Sequence, residues 1–168
     1  VYALFLLSEE NRSKYAAPNS TRVLGYTGES DFLAIDKRGR IVEYEIKTTH
    51  WDFTRDFKDR GNKLKRHEIL SKLADLPMMQ AKMPNYFYFV APEGVIREDE
   101  IPEYAGFIVI KESKDRTGPI PEAKVVRKAP MLHDRIATDR TRAKFLDEML
   151  FKMMAYSRTL YRQRRKHD

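Results

Sequence analysis

Cysteine is absent from the 168-residue chain, which excludes disulfide bridges, thiolate metal sites and cysteine nucleophiles. No apolar run approaches the roughly 20 residues needed to cross a bilayer, and the opening VYALFLLSEE has only the length of a buried helical face. Neither a signal peptide nor a membrane span is therefore expected, and the lack of a targeting segment points to the cytoplasm. No glycine-rich loop leads into Lys-Ser or Lys-Thr, so no nucleotide cofactor is expected. The four histidines lack the paired spacing of a zinc centre. Internal repeats are missing as well.

What remains is an apolar fraction of 42%, enough for one core, and the expectation is a single domain over residues 1–168. Lys and Arg number 32 against 25 Asp and Glu, a formal charge of +7. That balance suits a polyanionic partner, nucleic acid above all, and is equally compatible with plain solubility.

Residues 1–16 read as a helix ended by Pro18 and Asn19, and a short strand is expected at 21–26. Two β-rich runs, 31–35 and 41–48, flank the turn Asp36-Lys37-Arg38-Gly39, a hairpin signal. Pairing Ile35 with Ile41 places Asp31 opposite Glu45. Strand periodicity then sets Glu45 and Lys47 on one face and Phe32, Ala34, Val42, Tyr44 and Ile46 on the other. Residues 52–57 read as one or two helical turns, and 62–76 as a helix closed by Pro77. Strands are expected at 85–90, 105–110 and 124–128, with Gly94 and Gly106 in turns. A long helix over about 138–161 carries Phe145, Leu146, Met149, Leu150, Met153 and Met154 on its apolar face, and a basic tail follows to residue 168. The order predicts an α/β fold with a mixed central sheet flanked by helices.

The sharpest chemical feature is Asp31 followed, across the turn, by Glu45-Ile46-Lys47. Two carboxylates on adjacent strands repel, and a divalent cation relieves the repulsion while supplying a Lewis acid. Oxygen donors suit Mg²⁺ or Mn²⁺, and the Ile46 carbonyl is a candidate further ligand. Lys47 is placed to orient a water or to stabilise a pentacovalent phosphorus centre. Read without further context, EYEIK is also a common salt-bridged edge strand, and both readings stand at this point.

Asp31 with Glu45-Xaa-Lys47 resembles the PD-(D/E)XK nuclease superfamily, the restriction-endonuclease-like fold. The strings GESDFLAIDKRGRIVEYEIKTTHWDFTRDFK, NYFYFVAPEGVI and IPEYAGFIVI look like small bacterial and phage nucleases related to the MmcB-type DNA repair proteins. The likeness covers roughly residues 18–110. It implies an αβββαβ core, metal-dependent hydrolysis of DNA by an endonuclease in a bacterial cell or phage-infected host, Asp31 and Glu45 as ligands to Mg²⁺ or Mn²⁺, and Lys47 as the motif's lysine. Ser30 stands where many members have proline. Members often add a carboxylate from the first helix, for which Glu10, beside Glu9, is the candidate. Since the sequence begins at Val1 rather than Met, a glutamate upstream of it is the alternative.

Asp52, Asp56 and Lys58 fall in the segment after the lysine strand, with Asp56 and Lys58 expected near the phosphate path. Lys65, Arg66 and His67 form a basic cluster suited to phosphate contact or to a solvated face. His50 is a candidate outer partner of the site. Trp51 and the NYFYF run are able to stack on bases, though a strand position makes core packing the simpler role for the run. The methionine-bearing C-terminal helix reads as a core or dimer face. Cutting both strands of a duplex needs two centres, which makes a homodimer natural. A DNA-binding repair or replication accessory module without efficient cleavage, and a non-catalytic interaction domain, are the alternatives.

Overall fold

The structure, a computed structural model, describes residues 4, 13, 15–21, 23–24, 29–58, 61–115 and 118–164. Among them, strands β1 (Tyr15–Ser20), β2 (Ser30–Ile35), β3 (Ile41–Ile46), β4 (Tyr86–Pro92), β5 (Gly106–Asp115) and β6 (Gly118–Arg127) form one sheet in sequence order. The β3–β4 and β4–β5 pairs are parallel and the others antiparallel, so the sheet is mixed. Helices α1 (His50–Lys58), α2 (Asn62–Ser71) and the short α3 (Pro77–Gln80) lie in the crossover from β3 to β4, and α4 (Asp139–Arg164) closes the chain. A mixed central sheet flanked by helices is the arrangement the sequence predicts. No described helix is long and apolar enough to cross a membrane.

The hairpin follows from its turn chemistry. Asp36 Oδ1 accepts from the amides of Arg38 and Arg40, and Gly39 takes the positive φ of 82° that lets the chain reverse. The resulting register pairs Ile35 with Ile41 and Phe32 with Tyr44, as counted from the sequence. One face of the sheet carries Phe32, Ala34, Tyr44, Val90 and Ile108, packed with Leu4, which is helical and buried. The other face carries Leu33, Ile35 and Ile41 under α4 through Phe145, and Phe87, Phe89 and Phe107 under α1 and α2 through Phe53 and Leu70. The NYFYF run is thus interior, with the rings of Phe87 and Phe89 edge to face at 5.2 Å.

Several boundaries differ from expectation. Most of the helix expected at 1–16 lies outside the described residues, as do Glu9 and Glu10, but Tyr15 and Ala16 are in β1. Pro18 does not end a helix: β1 is an edge strand, where a missing N–H costs no ladder bond. Asn19, with φ 49°, is skipped in the register between Pro18↔Phe32 and Ser20↔Ser30. The other edge strand, β6, likewise accommodates Pro119 and Pro121 and begins at Gly118, earlier than expected. The second helix stops at Ser71, a 3-10 turn follows at Leu73–Asp75, and Pro77 opens α3 instead of closing α2. Gly106 is in β5, where a Cβ would sit 2.3 Å from the Tyr88 ring. Of the expected apolar face of α4, Phe145 alone is buried; Leu146, Met149, Leu150, Met153 and Met154 are exposed. The helix docks instead through Phe145, Glu148 and Lys152. Glu148 accepts from Ser20 Oγ and the Thr21 amide, and Lys152 reaches the carbonyls of Pro18 and Asn19.

Candidate active site

The start of β2 and the end of β3 meet at one end of the sheet, where the β2–β3 ladder gives out after Phe32↔Tyr44. Beyond it the Asp31 carboxylate takes the place of a backbone acceptor: Oδ2 receives the Ile46 amide at 2.7 Å. One residue on, the Lys47 amide donates to the Val90 carbonyl at 2.8 Å, which ties the end of β3 to β4. Asp31, Glu45 and Lys47 are therefore brought together, as the strand periodicity predicts. Their burial is less expected, since Glu45 is 3% and Lys47 1% exposed. A solvent-facing salt-bridged edge is not what forms here, because β3 is an interior strand covered by α1 and α2.

The helices supply the partners. Lys47 Nζ lies 3.1 Å from Glu45 Oε1, 2.5 Å from Asp56 Oδ2 on α1 and 3.9 Å from Asp52 Oδ2. Lys63, in the first turn of α2, reaches Glu45 Oε1 at 2.5 Å and Asp56 Oδ1 at 3.7 Å. His67 brings Nε2 to 3.7 Å from Asp56 Oδ2, while its Nδ1 pairs with the Tyr104 hydroxyl at 2.8 Å. Deeper in, Glu43 is buried and paired with Arg66, whose Nη2 is also 3.5 Å from Ser30 Oγ. Glu43 Oε2 and Arg66 Nε find no hydrogen-bond partner among the described residues.

This arrangement sets the proton affinities. Burial, and next the negative charge of Glu45, push the Asp31 carboxyl up to about 6, against the Ile46 amide and the two lysines. Burial also raises Glu43, which Arg66 only partly offsets. For Asp56 burial pulls upward, but the adjacent His67 and Lys47 prevail and hold it below the ordinary carboxylate range. Burial works to lower Lys63, yet the adjacent Glu45 keeps it above the ordinary lysine range.

Comparison with known proteins adds the fold and no more. Neither a protein-family profile nor a curated protein matches the chain. A solved structure does: SPO1766 from Silicibacter pomeroyi, described as a protein of unknown function, at 16% identity and a TM-score of 0.54, over 84% of this chain and 78% of that one.

A divalent cation fits the donor set in part. Asp31 and Glu45 offer hard oxygen donors, and the upward push on Asp31 by burial and by Glu45 is the electrostatic condition such an ion relieves. Among the described residues no three His, Asp or Glu side chains are grouped to hold a metal. Remaining ligands would be the Ile46 carbonyl and water, and the expected contribution of Glu10 falls outside the described residues.

The predicted DNA contacts divide by helical periodicity. Lys58, at the end of α1, and Lys65, on α2, are exposed, whereas Arg66 and His67 point inward at 7% and 5% exposure. The triplet Lys65-Arg66-His67 is thus not one basic patch, because successive helical residues are turned by about 100°. His50 is exposed and pairs with Glu100 at 2.7 Å, not with the central carboxylates. Trp51 is exposed at the start of α1 with the Arg55 guanidinium over its ring. Sequence reasoning missed Glu43, Lys63 and Tyr104. Glu43 was visible as the i−2 neighbour of Glu45 on the same strand face; nothing local marked the other two.

Proposed function

We propose that the chain is a metal-dependent DNA endonuclease that hydrolyses phosphodiester bonds, with Asp31 and Glu45 holding Mg²⁺ or Mn²⁺ and Lys47 assisting at the phosphate. The observation that carries this reading is the convergence of Asp31, Glu45 and Lys47 at the β2/β3 end, with Asp31 hooked to the Ile46 amide and pushed up by Glu45. When bound, the ion supplies charge neutralisation and Lewis acidity to the scissile phosphate. Lys47 Nζ lies within reach of Glu45 and Asp56, and it turns toward the phosphate oxygens when negative charge builds there. Asp56, backed by His67 and Tyr104, limits where that ammonium can go. Lys63, half-exposed at the mouth of the site, is a ready phosphate contact once its hold on Glu45 loosens. Lys58 and Lys65 would extend the contact along the backbone of the DNA.

The test is cleavage of supercoiled plasmid and of labelled single-stranded, duplex and branched DNA with Mg²⁺ or Mn²⁺, for wild type beside Glu45→Ala and Lys47→Ala. Metal-dependent cutting lost in both variants supports the reading; equal cutting by all three proteins sinks it. A second reading, an accessory module that binds DNA without cleaving it, is favoured by one observation: Glu45 Oε1 is already shared by two ammonium groups. Thermal melting separates the two. A rise in Tm with Mn²⁺ that Asp31→Ala abolishes favours the metal site, and no rise favours the accessory module.

A further inference from the structure

We propose that α4 is the interface of an antiparallel, two-fold dimer, in which the apolar stripe running from Leu146 to Tyr156 packs against the same stripe of a second copy. The proposal stands on the helix alone and holds whether or not the chain cleaves DNA.

Three observations lead to it. The first is periodicity: Leu146, Met149, Met153 and Tyr156 are spaced 3, 4 and 3, the seam of a helix pair, and Leu150 and Met154 widen the stripe. All six are exposed, because the helix docks on its own sheet through the neighbouring stripe of Phe145, Glu148 and Lys152. Folding has thus spent one side of α4 and left the apolar one in water. The second is area. At their observed exposures these six side chains present on the order of 700 Å² per copy, beyond the largest apolar patch of most monomers. Doubled, that is about 1,400 Å², within the range of stable dimers.

The third is charge. The half of α4 from Asp139 to Phe151 carries three acids, Asp139, Asp147 and Glu148, against three bases. The half from Lys152 to Arg164 carries Lys152, Arg158, Arg162 and Arg164 and no acid. A parallel pair would set two basic halves side by side. With Glu148 and Lys152 turned to β1, an antiparallel pair lays each basic half against the half that holds the exposed acids of the helix, Asp139 and Asp147, and it separates the two basic ends. In that register Met149 of one copy meets Met153 of the other, and Leu146 meets Tyr156. The contact is then isologous and closes at two copies. Since Glu148 and Lys152 fasten α4 to β1, next to the strand that bears Asp31, such a dimer would hold two β2/β3 ends at a fixed spacing.

The test is sedimentation equilibrium of the full chain at tens of micromolar, wild type beside Met149→Glu/Met153→Glu, with circular dichroism to verify folding. Twice the chain mass for wild type and the single mass for the variant is the expected result. Orientation is read by disulfide capture, which the absence of native cysteine makes clean. Leu146→Cys mixed with Tyr156→Cys should crosslink, and neither should do so alone, since like positions lie about 15 Å apart in an antiparallel pair. Self-crosslinking of each variant would overturn the antiparallel arrangement. A wild type that stays monomeric overturns the dimer, and if that monomer co-floats with anionic phosphatidylserine vesicles the stripe is a lipid-binding face.

Discussion

Lys47 Nζ lies 2.5 Å from Asp56 Oδ2, both side chains being about 1% exposed, so this lysine is held from the helix side as well as by Glu45 on its own strand. A buried ion pair of this kind is costly to break from one end, because the partner is left charged and unsolvated. Asp56→Ala is expected to lower the stability by about 3 kcal/mol, read from the urea midpoint at unchanged m-value. Asp56→Glu should recover more of it than Asp56→Asn; equal stability of all three variants and wild type would show the pair to be incidental.

Glu43 and Arg66 form the deeper pair. Arg66→Met removes the cation while Glu43 remains buried, and a loss of about 3 kcal/mol at neutral pH is expected. Burial already raises the proton affinity of Glu43 in the fold, against the neighbouring Arg66. The variant should therefore regain stability as pH falls through the folded-state pKa of Glu43, since the folded protein binds a proton there that the unfolded chain does not. Glu43→Leu/Arg66→Met should restore most of the loss at all pH values. A pH-independent deficit in the single variant would count against this account.

Asp31 predicts a second pH effect. Its folded pKa of about 6 lies above the ordinary 3.8, so the folded state holds a proton that the unfolded chain releases first. Stability from this group is fully present below about 3.8 and is lost as pH rises toward 6 and beyond. Thermal melts between these limits should show a downward slope for wild type that is flattened in Asp31→Asn. Added Mn²⁺ should raise Tm more at pH 7.5 than at pH 5, because proton and metal compete for the same carboxylate. An identical shift at both values would place the ion elsewhere.

If the chain binds DNA, the salt dependence separates Lys65 from its neighbours. Lys65→Ala should weaken binding alike for all sequences and reduce the slope of log K against log salt by about 0.9. Arg66→Met, measured where it is folded, should leave that slope unchanged, since its guanidinium faces Glu43. The measurement is fluorescence anisotropy with labelled duplex over a salt series.

Much of the centre was legible in the chain itself. The turn Asp36 to Gly39 sets the hairpin register through local hydrogen bonds, and a side-chain period of two then divides Asp31, Glu45 and Lys47 from Phe32, Tyr44 and Ile46. Both are short-range effects, settled within 17 residues. Tertiary structure alone decided the partners: Asp56 for Lys47, Lys63 for Glu45, Arg66 for Glu43, Tyr104 for His67, and the docking stripe of α4. These depend on how far each helix is rotated about its axis as it lands on the sheet. That rotation is set by the packing of Phe53, Leu70 and Phe145 against strands remote in sequence, so no local spacing records it.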